Sequence, residues 1–399
     1  MRGFVARHQA PIWLIAILGI IALASLSTAA DSLQVTLTEM FIRVIVVVGL
    51  YVFIGNSGII SFGQIGFMCI GAYAAAWATA EPSFKQIMLQ GLPGFLQENQ
   101  YPFLVAMAGS VVLPALVALC LGVAIMRLSG TAASIATFAF LIIVNSVYSN
   151  WDSVTAGVSS IIGIPTVVGP WTAYAFAILA ILVAYLFQIS RFGLMLRASR
   201  DDDVASRASA VHIVKMRLIA FVLSAALVGV GGGLYAQFLG ILTVDPFYLN
   251  LSFITIAMLV VGGMSSLTGA VTGVIVVTAI VELLRFLERG LTLGSTTLSL
   301  PQGSQEIGLG IVMALILIFR PNGVSAGHEL SLISRRTPSP AARFAAATPK
   351  GNPSGIPKGG QAGSPVGSPV GSQVGSPTGS QPGSRVTERL NQADLRQPS

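Results

Sequence analysis

Ten apolar segments, most of them close to the length of a membrane-spanning helix, constrain the fold of this chain more than any other feature. They cover residues 12–30, 37–54, 58–80, 102–126, 130–149, 171–189, 217–240, 250–263, 267–287 and 305–320. A helix needs about 20 apolar residues to cross the hydrocarbon layer, and only 9% of the chain is charged. We therefore expect an all-α polytopic membrane protein with about 8–10 transmembrane helices.

Basic residues predict the orientation of the chain, because they concentrate in cytoplasmic loops. Arg2 and Arg7 place the N-terminus in the cytoplasm, and ten crossings place the loop 190–217 and the C-terminus there as well. The long loops on the other side contain Lys85 as their only basic residue. The first apolar run also resembles a signal peptide, but at about 19 residues it exceeds the usual length of such a core. We favour an uncleaved first span.

The C-terminal tail differs in composition from the rest of the chain. Between Gly363 and Ser384 the pair Gly-Ser recurs every four residues, and apolar residues are few. Such a segment cannot bury enough surface to offset the entropy lost on ordering. We therefore divide the chain into a transmembrane domain, 1–330, and a disordered cytoplasmic tail, 331–399.

The segment from Gly55 to Tyr73 is rich in glycine and contains hydrogen-bonding side chains. In a membrane, glycine allows helices to approach closely or the backbone to unwind beside a cavity. A packing seam and the lining of a translocation path both fit this pattern. The candidate path residues are Asn56, Ser61, Gln64, Thr137 and Asn145. The candidate helix-packing residues are Gly55, Gly58, Gly63, Gly71, Gly262, Gly263, Gly269 and Gly273.

A charged island, Ser190 to Arg217, separates two apolar segments. Ser199 followed by Asp202 fits a helix N-cap with an acidic third residue, and three successive aspartates complement the positive end of a helix. We expect a short amphipathic cytoplasmic helix that binds a soluble partner or lies on lipid. Its aspartates favour the protein partner over an anionic lipid surface. The residues expected to contact that partner are Arg197, Arg200, Asp201, Asp202, Asp203, Val204, Ala208 and Val211.

Motifs for chemistry or energy conversion are missing from the sequence. It has no Walker-type phosphate loop, and its two cysteines and three histidines have neither metal-ligand nor catalytic spacing. The positive charge lies mostly in the tail, which does not indicate nucleic-acid binding. We expect no acidic residue in the middle of a span, which argues against a proton-coupled carrier. Energy then comes from another protein, or transport is passive.

Residues spread along the chain carry a family resemblance. They are Gly55, Gly58, Ser61, Gly63, Phe67, Gly71, Ala72 and Tyr73, then Gly157 and Gly163-Ile164-Pro165, then Ser190-Arg191-Phe192-Gly193, Leu196-Arg197-Ala198 and Arg200-Asp201-Asp202, then Gly262-Gly263, Ser266-Leu267, Gly269 and Gly273, and finally Arg320-Pro321 and Gly323. With these residues the chain resembles the LivM-type permeases, the membrane subunits of ABC importers for branched-chain amino acids. It departs from their pattern at Ala210, where glycine is general, and at Arg207, Ser265, Ala270, Ser159 and Ser160.

The resemblance implies a subunit of an ATP-driven importer in the bacterial inner membrane. Its partners would be a sister permease subunit, two cytoplasmic ATPase subunits and a periplasmic substrate-binding protein. The partner subunits would use ATP, whereas this chain would bind no cofactor or metal and catalyse no reaction. The island would be the segment that couples it to the ATPases. Importers of urea, amides or other amino acids resemble this family too, and a stand-alone secondary transporter is the alternative of another class.

Overall fold

The computed structural model describes residues 9–27, 31–128, 130–288, 291–293, 296–298, 304–320 and 323–325. The predicted tail 331–399 and the basic residues Arg2 and Arg7 lie outside this part. Within it the helices are α1 (Gln9–Ser27), α2 (Asp31–Leu50, continued by a π-helical segment, Tyr51–Gly55), α3 (Gln64–Thr79), α4 (Pro82–Met88), α5 (Gly94–Glu98), α6 (Phe103–Ile125), α7 (Thr131–Asn150), α8 (Asp152–Thr155), α9 (Pro170–Ile189), α10 (Arg191–Asp201), α11 (Asp203–Ala208), α12 (Ile213–Leu239), α13 (Leu249–Gly262), α14 (Leu267–Glu288) and α15 (Ser304–Phe319).

The predicted all-α membrane architecture is confirmed, and each of the ten apolar segments contains a helix. Apolar segments become helices because hydrocarbon offers no hydrogen bonds, so the backbone must satisfy its own groups. In the described residues, six helices are long and apolar enough to cross a membrane: Ser32–Gly55, Phe103–Ile125, Thr131–Asn150, Pro170–Ile189, Ile213–Leu239 and Leu267–Glu288. The apolar helices α1, α3, α13 and α15 are shorter, at 14–19 residues. The expectation of about 8–10 spans counts some or all of them as crossings.

Helix α12 lies at the centre of the helix bundle and packs against α2, α3 and α6. The span of α2 is 83% buried, whereas those of α6 and α7 are each 28% buried. The exposed faces of α6 and α7 are apolar, which is the pattern of helices that face lipid. The buried position of α2 places its few polar residues inside the protein.

Small residues bring the central helices into backbone contact. A Cβ on Gly71 of α3 would overlap the backbone of Gly229 in α12, and one on Gly229 would overlap the Ser110 carbonyl of α6. The Ser110 hydroxyl donates a hydrogen bond to the Gly71 carbonyl at 2.8 Å. Membrane helices associate through such close packing, since hydrocarbon supplies no hydrophobic driving force between them.

Helices α13 and α14 pack through a second glycine contact. A Cβ on Gly262 would overlap the Gly269 carbonyl, and one on Gly273 would overlap the Met258 carbonyl. Beyond α14, the short strands β1 (Leu291–Leu293) and β2 (Thr296–Leu298) pair antiparallel with each other. The glycine contact fixes α13, whose N-terminal half lines the cavity described below.

Candidate functional site

The charged island forms two short helices rather than the single helix expected from the sequence. Helix α10 follows Ser190, whose Oγ accepts a hydrogen bond from a backbone N–H three residues later at 3.3 Å. Helix α11 follows Asp202, whose carboxylate accepts two backbone N–H bonds at 2.9 Å. The prediction that Ser199 is the N-cap is wrong, because its hydroxyl donates to the preceding turn and the backbone becomes extended at Asp202.

The exposed surface of α11 and its cap combines acidic and apolar residues. Val204 is 79% exposed, and Ala208, one turn later, is exposed beside Asp201 and Asp202. Helix α11 ends at Ala208, so Val211 lies beyond it and the predicted three-residue apolar face does not form on one helix. The apolar part of this surface is therefore small: it includes Val204 and Ala208 and lies among charged side chains.

Besides Asp202, three of the predicted coupling residues form contacts within this chain. The Arg197 guanidinium donates to the Gln188 carbonyl at the end of α9, at 2.6 Å. Asp203 pairs with Arg207 at 2.8 Å and lies 3.7 Å from the Arg217 guanidinium in α12. These contacts fix the island against the helices on either side of it.

The third contact joins the island to the glycine-rich segment. Arg200 Nη1 donates to the Gly55 carbonyl at 2.6 Å, although the two residues are 145 positions apart. Gly55 ends the π-helical segment, where the hydrogen-bond pattern of α2 changes. A π-helical segment commonly marks a functional site in a helix. A movement of α10 would therefore act directly on this end of α2.

The chain is not helical at residues 58–63, which we call the break. Gly58 begins the break with φ +73°, and a Cβ there would lie 3.0 Å from the Arg200 Cγ. Glycine adopts this left-handed conformation without the strain that other residues carry. At the other end of the break, the Ser252 hydroxyl of α13 donates to the Phe62 carbonyl at 3.5 Å. The break is thus held between the island and α13.

Three of the predicted path residues lie in or beside the break and are fully buried. Asn56 donates to the Val52 carbonyl at 3.0 Å, but its Oδ1 has no hydrogen-bond partner among the described residues. In this part of the chain the Ser61 hydroxyl and both amide atoms of Gln64 lack a partner as well. Each such group costs about 1–3 kcal/mol. A cluster of unsatisfied polar groups at membrane depth is expected where polar ligands or water pass.

The other two predicted path residues lie on α7. Gly63 packs against the Thr137 backbone, because a Cβ on Gly63 would overlap the Thr137 carbonyl. The Thr137 hydroxyl donates within its own helix to the Ser134 carbonyl at 2.9 Å. Asn145 is half-buried and lies eight residues, or about 12 Å, further along the helix. The structure thus brings Thr137 to the break but not Asn145.

A cavity of about 240 Å³ opens beside α2, α3, α12 and α13, away from the island. Its charged lining consists of Glu39, Arg43 and Asp245. Glu39 and Arg43 form an ion pair one turn apart within the span Ser32–Gly55. Glu39 is the eighth of the 24 residues of this span, nearer its start than its middle. The pair was not predicted, since the expectation of no acidic residue concerned the middle of a span. Opposite charges at i and i+4 in the segment 37–54 are the sequence signal that could have shown this pair.

A buried lysine anchors the loop between α3 and α6. The Lys85 amine donates to the Asn99 carbonyl at 2.6 Å and to the Trp77 carbonyl at 3.3 Å. Burial lowers the pKa of Lys85 below its ordinary value, since the charged form loses solvation. The Trp77 indole donates to the Val154 carbonyl at 2.9 Å, so this loop and the loop after α7 are packed at the same end of α3.

The described residues contain no group of three or more His, Cys, Asp or Glu side chains that could bind a metal ion. What the structure provides is a contact between a surface segment and an intramembrane break, together with a charged cavity further along α2. Such an arrangement can move or bind a solute.

Comparisons with known proteins agree with this description. Residues 32–319 match the family model described as branched-chain amino acid transport system / permease component. The chain is 26% identical over 322 residues to the high-affinity branched-chain amino acid transport system permease protein LivM of Salmonella typhimurium, and 27% identical over 324 residues to that of Escherichia coli. Each alignment covers 72% of this chain and 68% of the relative. No solved structure matches.

The family match covers well over half of the chain, and the matched residues include the break, the island and all of the cavity lining. It agrees with the helical membrane architecture. This chain is a multi-pass membrane protein that belongs to the family of branched-chain amino acid transport permease components.

Proposed function

We propose that this chain is a permease subunit of an ATP-driven importer for branched-chain amino acids. It forms part of the translocation path in the bacterial inner membrane, with both termini in the cytoplasm. It works with a sister permease subunit, two ATPase subunits and a periplasmic binding protein, and ATP is bound by the ATPases. Family membership and the names of the two relatives support the substrate.

The observation that carries the proposal is the hydrogen bond between Arg200 and the Gly55 carbonyl. It connects an exposed, charged surface to the break beside Asn56, Ser61 and Gln64, which we propose line the path. An ATPase that displaces α10 and α11 would pull on the end of α2. Energy supplied outside the membrane would then change the path inside it.

Docking of an ATPase on α11 is testable at Val204. Because this side chain is 79% exposed, Val204→Glu leaves the fold intact but places a charge where the ATPase surface would bury an apolar group. We expect the tagged variant, purified from native membranes, to lose most of its copurifying ATP hydrolysis. A buried unpaired charge costs about 3–5 kcal/mol, which weakens a complex by two orders of magnitude or more.

The matched control is Val158→Glu. Val158 is 77% exposed and lies in the loop after α8, which joins the 240–242 connection through the pairing of Ile161 with Leu242. This control should retain full copurifying ATPase activity. Equal activity in the Val204 and Val158 variants would contradict docking on α11.

A second candidate function is a carrier that works without ATPases. The observation that favours it is the Glu39–Arg43 pair, since ionisable groups within spans often serve ion-coupled transport. It predicts substrate uptake by the purified chain alone in liposomes, driven by an ion gradient. The ATP-driven importer predicts no such uptake.

A further inference from the structure

We propose that the cavity beside α2 binds a zwitterionic α-amino acid with an apolar side chain. The proposal deepens the proposed function and rests on it for the identity of the transported class. It assigns the ligand's carboxylate to Arg43, its ammonium to Glu39 and Asp245, and its side chain to the apolar wall.

The cation of the cavity has unused hydrogen-bonding capacity. A guanidinium has five N–H donors in a planar fork that suits a carboxylate. One terminal nitrogen of Arg43 donates to Glu39, and no other hydrogen bond of this guanidinium is found among the described residues. Arg43 can therefore hold Glu39 and receive a ligand carboxylate at the same time.

The carboxylates of the cavity provide the complementary charge. Asp245 is exposed at the cavity, and within the described part of the chain it has no ion pair. With Glu39 it places two negative charges around one positive charge. A ligand with only an amine would leave the donors of Arg43 without a carboxylate, and a ligand with only a carboxylate would leave Glu39 and Asp245 without a cation. A zwitterion satisfies both signs.

Tyr235, Asn250 and Thr255 add hydrogen-bonding groups to the remaining lining, and the larger part of it is an apolar wall. Ile42 and Val46 of α2, Leu251 and Ile254 of α13, and Met68 of α3 contribute it. The cavity of about 240 Å³ equals about eight water volumes, which is room for a small amphipathic molecule. Branched and flexible apolar side chains next to fixed charges favour an apolar amino acid over a sugar or an inorganic ion.

A purely structural role explains the ion pair poorly. Charged groups within a span are costly, and an ion pair in such a place is commonly no more stable than an apolar pair. The pair Glu282–Arg285, at 3.2 Å, lies near the end of α14 with both side chains about one-third exposed. It does not line the cavity and serves as the matched control.

The test is equilibrium binding of tritiated L-leucine to the membrane complex purified through this chain in nanodiscs. The double variant E39Q/R43Q removes both charges and leaves neither unpaired, and E282Q/R285Q does the same at the control site. We expect E39Q/R43Q to weaken leucine binding about tenfold or more, with the control unchanged. Asp245→Asn, at an exposed position, should weaken it in the same direction.

Competition by analogues of leucine identifies which charged groups of the ligand the cavity binds. L-Valine and L-isoleucine should displace the leucine, whereas 4-methylpentanoate, which lacks the amine, and isopentylamine, which lacks the carboxylate, should compete about tenfold less well or worse. The proposal is overturned if wild type binds no leucine, if E39Q/R43Q binds it as tightly as wild type does, or if either analogue competes as well as leucine.

ATP-driven uptake by the same complexes separates the site from the function. If wild type takes up leucine and E39Q/R43Q takes it up equally well, the proposed binding site is wrong and the proposed permease function is still supported. If leucine binding depends on Glu39 and Arg43 but wild type shows no ATP-driven uptake, the proposed function is wrong and the proposed binding site is still supported.

Discussion

Replacing Arg200 tests whether the island acts on the break. Arg200→Gln removes the charged donor to the Gly55 carbonyl, a bond of 2.6 Å that joins α10 to the end of α2. The exposed residues of α11 remain in place. We therefore expect the variant to bind its ATPases and hydrolyse ATP but to transport poorly.

The size of the effect follows from the bond. A hydrogen bond to a charged group contributes about 1.5–3 kcal/mol, and the lower end applies because this one is only partly buried. If the bond is maintained only in the state that transmits the movement, its loss reduces transport per ATP about tenfold. Arg200→Lys keeps the charge without the planar fork and should fall between wild type and Arg200→Gln.

The assay measures leucine uptake and ATP hydrolysis in the same proteoliposomes. Arg191→Gln is the matched control: it removes one positive charge from the same helix, where Arg191 lies over the Phe192 ring. The ratio of leucine transported to ATP hydrolysed should fall in Arg200→Gln and stay unchanged in Arg191→Gln. An unchanged ratio in Arg200→Gln would refute transmission through this bond.

Two further predictions concern stability. Gly71→Ala forces backbones apart in the central packing and should cost about 1–3 kcal/mol, lowering the thermal unfolding midpoint in detergent. Gly109→Ala, where the nearest atom lies 3.9 Å away, should not lower it; equal midpoints would contradict the packing account. Ala210 has φ +60°, so Ala210→Gly should raise the midpoint by relieving about 1–2 kcal/mol of strain. Ala208→Gly, within α11, should instead lower it, and a lower midpoint in Ala210→Gly would refute the strain.

The helices could be predicted from the sequence, because in hydrocarbon a long apolar segment forms the hydrogen bonds of its backbone N–H and C=O groups within a helix. The glycine motifs also anticipated contact positions such as Gly71 and Gly273, since close approach excludes larger side chains. Glycine would adopt the positive φ of Ala210 without this strain. These features depend on local residue chemistry, which a sequence displays directly.

The features that the sequence did not predict depend on competition between neighbouring residues or on contacts between residues far apart in the chain. Ser199 was predicted as the N-cap with Asp202 as its acidic third residue, but the backbone becomes extended at Asp202, which is itself the cap. The Glu39–Arg43 pair was not predicted, because Glu39 lies near the start of its apolar segment and the expectation concerned the middle of a span. The contact of Arg200 with Gly55 spans 145 positions, and no local pattern encodes it. From the sequence, Arg200 was predicted to contact a partner protein. The structure shows that Arg200 also contacts Gly55 of the same chain.

The central claim is that transport by this chain depends on ATP hydrolysed by other subunits. Its most direct test is uptake of tritiated L-leucine into proteoliposomes that contain either the purified chain alone or the complex purified through it, with the cognate binding protein and ATP added. The account predicts uptake by the complex only when ATP is present, and no uptake by the chain alone under any ion gradient. Uptake by the chain alone, or ATP-independent accumulation by the complex, would contradict it.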